Sequence, residues 1–136
     1  MRNIEIKAKV KDIEQLRRKA KNLSQSQGTI IKQDDTFYKS SKGRLKLRKV
    51  ENGSAELIFY DRPDSKGPKL SSYEKSFIPV DNVADINAVL SMALDTDGIV
   101  RKTRNLFLID QTRVHIDQVE GLGDFMELEV RFRYIA

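Results

Sequence analysis

Charged and apolar residues alternate with a period of two in stretch after stretch of this chain, and no other feature restricts its fold as much. The closing run, Gly123-Asp124-Phe125-Met126-Glu127-Leu128-Glu129-Val130-Arg131-Phe132, and the opening run, Asn3-Ile4-Glu5-Ile6-Lys7-Ala8-Lys9-Val10, both follow this pattern. A strand with period-two alternation puts its charges on one face and its hydrocarbon on the other. Glu127, Glu129 and Arg131 therefore share a face, as do Glu5, Lys7 and Lys9. One such strand is ordinarily a solvated edge carrying cross-strand ion pairs. The middle of the chain repeats the habit, with Arg44, Lys46 and Arg48 on one run, Lys102 and Arg104 on another, and Arg113, His115 and Asp117 on a third.

Between these runs the punctuation is regular. Asp12 is placed to cap a helix reaching about Leu23, with Ile13, Leu16, Ala20 and Leu23 on one stripe. Strands are expected over 29–38, 44–50 and 55–60, the last two joined by a hairpin at Asn52-Gly53. Pro63, Gly67 and Pro68 mark a mobile connection over 61–69. A strand resumes over 71–79, and a helix over 81–92 carries Val83, Ile86, Val89 and Leu90, with Asp81 or Asn82 as cap and Asp97-Gly98 closing that stretch. Strands over 99–109, 112–119 and 123–132 finish the chain. About eight hairpin-connected strands and two flanking helices give an α+β fold built on an antiparallel β-barrel.

Composition points the same way. A chain of 136 residues is expected to form a single domain over 1–136. Charged residues make up 33% of it, against roughly 25% in ordinary globular proteins, and a polar interior would accommodate the excess. The formal net charge of +5 favours an anionic partner. There is no cysteine and a single histidine, which excludes a disulfide framework and zinc sites built on paired imidazoles. Any bound metal is expected to be a hard cation held by oxygen, Mg²⁺ or Mn²⁺. With charge at the N-terminus and no long apolar run, the chain reads as soluble and cytoplasmic, with no membrane partner.

If the strands close, their charged faces share one lumen. That lumen would hold Glu5, Lys7, Lys46, Arg48, Arg62, Lys102, Arg104, Arg113, Asp117, Glu127 and Glu129. Enclosed charges are costly unless paired or liganded. Lysine and arginine suit the oxygens of a polyphosphate, and carboxylates suit a divalent cation bridging the same oxygens. Phosphoryl transfer needs positioning and charge stabilisation more than a protein nucleophile.

Asn3-Ile4-Glu5-Ile6-Lys7 resembles the Glu-x-Glu-x-Lys opening of the CYTH superfamily of class IV adenylyl cyclases, thiamine triphosphatases and inorganic triphosphatases. The resemblance continues through Asp35-Thr36-Phe37-Tyr38, Arg44-Leu45-Lys46-Leu47-Arg48, Lys102-Thr103-Arg104, Asp117-Gln118-Val119-Glu120-Gly121-Leu122-Gly123 and Phe125-Met126-Glu127-Leu128-Glu129. It implies a triphosphate tunnel that takes ATP, thiamine triphosphate or inorganic triphosphate with Mg²⁺ or Mn²⁺. It further implies that Glu5, Glu127 and Glu129 hold the metal and so serve catalysis, with Asp117 near it, while Lys7, Lys46, Arg48, Lys102 and Arg104 hold phosphates. Arg62 resembles a further phosphate-binding base, and Arg113 joins by alternation alone. Two departures stand out. Asn3 occupies the place of the motif's first glutamate, which should weaken or alter metal binding, and the chain stops at Arg133-Tyr134-Ile135-Ala136, where family members generally continue.

The expected activity is hydrolysis of an organic or inorganic triphosphate by water activated at the metal. A class IV cyclase that turns ATP into cyclic AMP and pyrophosphate is the alternative, and a noncatalytic triphosphate-binding module is the other. A homodimer is open. Nucleic acid is not expected, because the aromatic share is 7% and the phenylalanines read mostly as core. Tyr60 and Tyr73 read equally as stacking surfaces or as packing, His115 as a structural or hydrogen-bonding group, and Glu74 as a tunnel acid or a surface partner of Lys75.

Overall fold

The computed structural model describes residues 1–63 and 67–132. Its elements run β1 (Arg2–Lys9), α1 (Ile13–Ser24), β2 (Thr29–Tyr38), β3 (Arg44–Val50), β4 (Ala55–Asp61), β5 (Lys69–Ile78), α2 (Val80–Leu94), β6 (Thr96–Ile109), β7 (Thr112–Val119) and β8 (Gly123–Phe132). The strands close into an antiparallel barrel in the order β1-β5-β4-β3-β2-β6-β7-β8. Closure depends on the two ends of the chain. β1 pairs with β8 from Arg2 opposite Phe132 to Lys9 opposite Phe125, and on its other edge Arg2–Glu5 pair with 69–72 of β5. The ring is therefore complete within the described residues. Residues 133–136 and residues 64–66 of the expected mobile connection lie outside them.

The hydrocarbon sits outside the ring, under the helices, in two clusters. Ala20, with Ile13 and Leu16 of α1, packs on Phe107, Val114 and Ile116 of β6 and β7. Val83, with Ile86 and Leu90 of α2, packs on Tyr38, Leu47 and Ala55 of β2, β3 and β4. Each helix contributes one stripe, and each strand the face that alternation assigns to it.

Local chemistry sets the ends of the elements. Asp12 accepts from the Gln15 amide at 3.1 Å, the expected cap of α1. The stripe of α1 ends at Ala20, because Leu23 is 70% exposed. Gln25 adopts a left-handed conformation at the C-cap, and Gly28 follows at φ +75°. A Cβ on Gly28 would lie 2.5 Å from Asn105 Oδ1 and 2.8 Å from the Phe107 ring, so glycine meets both the torsion and the close approach there.

Three expectations about α2 and its surroundings are corrected. The helix starts at Val80 on Pro79, with no side-chain cap, so neither Asp81 nor Asn82 caps it. It ends at Leu94, and Val89 faces outward at 64% exposure. Thr96–Gly98 belong to β6, because the end of β2 needs partners: Phe37 pairs with Gly98 and Tyr38 with Thr96 across a register shift. Among the described residues, no helix is long and apolar enough to cross a membrane.

Candidate functional site

The barrel encloses a cavity of about 810 Å³, within the roughly 300–1,000 Å³ of small-molecule sites. Its lining is charged because each strand turns its polar alternate inward. Lys46, Arg48, Lys102 and Arg104 come from β3 and β6, which flank β2 and its Asp35, and Glu5, Glu127 and Glu129 come from β1 and β8, which are neighbours in the ring; β7, between β6 and β8, contributes Arg113 and His115.

On the basic wall, Asp35 of β2 lies opposite Arg48 in register and is 1% exposed. Arg48 donates through Nε to Oδ1 and through Nη2 to Oδ2, both at 2.8 Å, and Lys46 Nζ lies 3.5 Å from the same carboxylate. Gln33, with its amide turned so that the carbonyl faces Arg48, accepts from Nε at 3.1 Å. Burial pushes the Asp35 carboxyl up, but the Arg48 hydrogen bonds and the charges of Arg48, Lys46 and Lys102 hold it far below the usual range. One carboxylate thus faces several cations. Burial, then the charge of Arg48, push the Lys46 ammonium down to about 7 against the pull of Asp35. Burial and Arg104 push Lys102 down to about 8. Burial is the larger cause of both shifts, and the neighbouring Arg48 and Arg104 guanidiniums add to it.

Arg104, 6% exposed, is held by Asp117, which lies opposite it in register and is fully buried. Arg104 Nε reaches Oδ1 at 2.8 Å and Nη2 reaches Oδ2 at 2.9 Å. The expectation of Asp117 as a lumen acid near the metal gives way here. Both of its oxygens serve Arg104, and it does not line the cavity.

Across the lumen, Glu5 is ion-paired with Arg62, which follows β4, lines the cavity and lies 5.6 Å from the centre of the Tyr60 ring. Arg62 therefore lies on the lumen side. Glu127 and Glu129 line the cavity from β8, with His115 opposite Glu127 and Arg113 opposite Glu129. Asn3 Nδ2 donates to Glu129 Oε2 at 2.8 Å. Glu129 Oε1 is buried without a hydrogen bond. Around it stand Arg113 Nε and Arg131 Nε, each at 3.4 Å, and His115 Nε2 at 3.6 Å. Burial raises the Glu129 carboxyl, yet His115, Arg131 and Arg113 bring it down to about 2. Lys7 stands at the edge of the cavity, exposed, with Nζ 5.2 Å from the Phe125 ring.

The cavity thus brings together Glu5, Lys7, Lys46, Arg48, Arg62, Lys102, Arg104, Arg113, Glu127 and Glu129, and leaves out Asp117. Reasoning from sequence gave no role to Asp35 or Gln33, although the alternation of Gln33, Asp35 and Phe37 along β2 carried the signal. Glu74 is exposed near the N-terminal amine and does not line the cavity, while Lys75 pairs with Glu56, so among the described residues Glu74 is neither a tunnel acid nor the partner of Lys75. Tyr60 and Tyr73 both line the cavity, and Lys46 Nζ lies 4.9 Å from the centre of the Tyr60 ring.

A divalent cation fits the acidic wall. Among the described residues, His115, Glu127 and Glu129 bring one ligand atom each to within 4.8 Å of one another, and Glu129 offers an oxygen with no hydrogen bond. The donors are two carboxylates and an imidazole, a set suited to a first-row divalent ion.

A closed antiparallel ring with helices packed outside and a charged lumen makes this a tunnel-type β-barrel. The chain matches the CYTH domain family over residues 1–132, and it belongs to that family. Its fold is similar to the PH1012 protein of Pyrococcus horikoshii OT3, at 22% identity and a TM-score of 0.80, over 97% of this chain and 80% of that one. It is also similar to a putative adenylate cyclase from Vibrio parahaemolyticus (18% identity, TM-score 0.66, 97% and 77% of the chains). The Pct1 RNA triphosphatase of Schizosaccharomyces pombe shares the fold more loosely, at 15% identity and a TM-score of 0.54, over 87% and 50% of the chains. No curated protein sequence matches. CYTH proteins bind triphosphates, depend in general on a metal, and are often enzymes.

Proposed function

We propose that the tunnel binds an organic or inorganic triphosphate together with a divalent cation and hydrolyses its terminal phosphoryl group. The observation that supports this reading best is the pairing of clustered bases with acids around one lumen. Four bases, Lys46, Arg48, Lys102 and Arg104, lie along β3 and β6, and Glu5, Glu127 and Glu129 lie along β1 and β8, around one cavity of about 810 Å³, with Arg104 Nη2 3.9 Å from Glu127 Oε2.

Arg48 and Arg104 are the fixed points. Each is locked by a two-pronged carboxylate beneath it, so its orientation is set before any anion arrives. Lys46 and Lys102 supply mobile charge alongside, and Lys7, Arg62 and Arg113 meet the remaining oxygens. Glu127, Glu129 and His115, with Glu5 once Arg62 turns to the anion, would hold the cation. A divalent cation held there would supply positive charge to offset the negative charge that develops on the phosphate oxygens. The enclosing barrel limits the water around these contacts and so strengthens them. Mg²⁺ and Mn²⁺ both suit the carboxylates, and the reading places this activity in the cytoplasm.

Cyclisation of ATP is the second reading, favoured by the likeness to a protein described as a putative adenylate cyclase and by the cavity-lining rings of Phe37 and Tyr60. Phosphorus NMR of reactions with ATP, thiamine triphosphate and tripolyphosphate separates the outcomes. Orthophosphate supports hydrolysis, pyrophosphate with cyclic AMP replaces it by cyclisation, and saturable binding with neither product reduces the protein to a binding module.

A further inference from the structure

We infer that His115 is a nitrogen ligand of the cation, which makes the site a mixed nitrogen and oxygen site that selects Mn²⁺ over Mg²⁺. The inference rests on the triphosphate-and-cation reading and deepens it. His115 is 4% exposed, its Nδ1 is buried without a hydrogen bond, and its Nε2 meets Glu129 Oε1 only at 3.6 Å. A buried imidazole normally satisfies at least one nitrogen. Here Nε2 points at Glu129 Oε1 from 3.6 Å, and that oxygen also lacks a hydrogen bond, in a residue 9% exposed. An imidazole nitrogen and a carboxylate oxygen facing each other at 3.6 Å, with Glu127 completing a set of three ligand atoms within 4.8 Å of one another, are placed to share a cation.

Asn3 explains why this chain would use an imidazole. Its amide donates to Glu129 Oε2 at 2.8 Å, which occupies one carboxylate oxygen and fixes the other toward His115. A neutral amide at this position supplies no negative charge. The donor set is therefore poorer in carboxylates, and imidazole nitrogen suits first-row transition ions far better than Mg²⁺. Asn3 is a positioning residue, and His115 is the ligand. Arg113 and Arg131, each 3.4 Å from Oε1, would turn to the phosphates as the cation takes their place.

The chain holds a single histidine, so labelling with ¹⁵N-histidine marks this side chain alone and needs no substitution. Tag-free protein is loaded with Mn²⁺ in a nitrogen-free buffer and examined by electron spin-echo envelope modulation. The expected result is modulation from one directly bound nitrogen, changing from the ¹⁴N to the ¹⁵N pattern on labelling and disappearing in His115→Gln. Competition should show Mn²⁺ preferred to Mg²⁺ by about 10-fold or more. Asn3→Ala should weaken Mn²⁺ by about 10–100-fold while keeping the nitrogen signal. Bound Mn²⁺ without a histidine nitrogen, or no Mn²⁺ binding at millimolar concentration, overturns the inference. Stabilisation by tripolyphosphate in the same sample shows that the triphosphate reading survives that failure. Histidine coupling without tripolyphosphate binding would sink the reading instead.

Discussion

Arg104 and Asp117 show why a single substitution in this lumen conflates two effects. On the proposed function, Arg104→Ala should remove a phosphate contact worth roughly 1.5–3 kcal/mol, but it also strands a carboxylate that is fully buried. Breaking such a pair from one side costs about 3–5 kcal/mol of stability. Urea denaturation should show that loss for Arg104→Ala, and the double variant Arg104→Ala/Asp117→Ala should recover most of it. Titration with tripolyphosphate should find both variants weakened alike. Recovered binding in the double variant would remove Arg104 from the phosphate site.

Lys46 carries a pH signature. The unfolded chain holds this proton up to about 10.5, and the folded protein releases it near 7. Between those values the unfolded state binds more protons, so the Lys46 contribution to stability rises with pH, and its cost is fully present below pH 7. A bound triphosphate favours the ammonium. Calorimetry in buffers of differing ionisation enthalpy should therefore show proton uptake on binding at pH 8, little at pH 6, and a smaller uptake at pH 8 in Lys46→Met.

At the scale of elements, the strands were legible because period-two alternation survives any change of environment. Glu127-Leu128-Glu129 reads the same whether its charged face meets solvent or a lumen. Which of the two it meets was not legible from that strand, since the answer depends on closure through β1, a long-range pairing. Asp117 shows the limit. Alternation put it on the lumen face, and only the register of β6 against β7 reveals that both its oxygens go to Arg104. The start of β6 was missed for a similar reason, because Asp97-Gly98 signals a break in local chemistry and the unpaired end of β2 overrides it. Leu47, fully buried between β3 and α2, tests the outside core. Leu47→Ala should cost about 2–5 kcal/mol in chemical denaturation, with the affinity for tripolyphosphate unchanged because the side chain faces away from the cavity. Gly28→Ala should also destabilise, through its positive φ and the approach to Asn105 and Phe107.

At the scale of the molecule, the fold is turned inside out relative to an ordinary sandwich, with hydrocarbon beneath the helices and charge in the middle. Such an interior is held by ion pairs that individually contribute little net stability, so a ligand complementary to both walls should stabilise the whole ring. The decisive measurement is thermal unfolding with tripolyphosphate, orthophosphate and buffer, each with and without Mn²⁺. A ligand that binds only the folded state at 100 times its Kd adds about 2.7 kcal/mol, a shift of several degrees for a chain of this size. Tripolyphosphate should raise Tm by that amount, and more so with Mn²⁺, while orthophosphate at equal ionic strength does little. Equal shifts from both anions, or none from either, would mean that the opposed walls do not form a polyphosphate site.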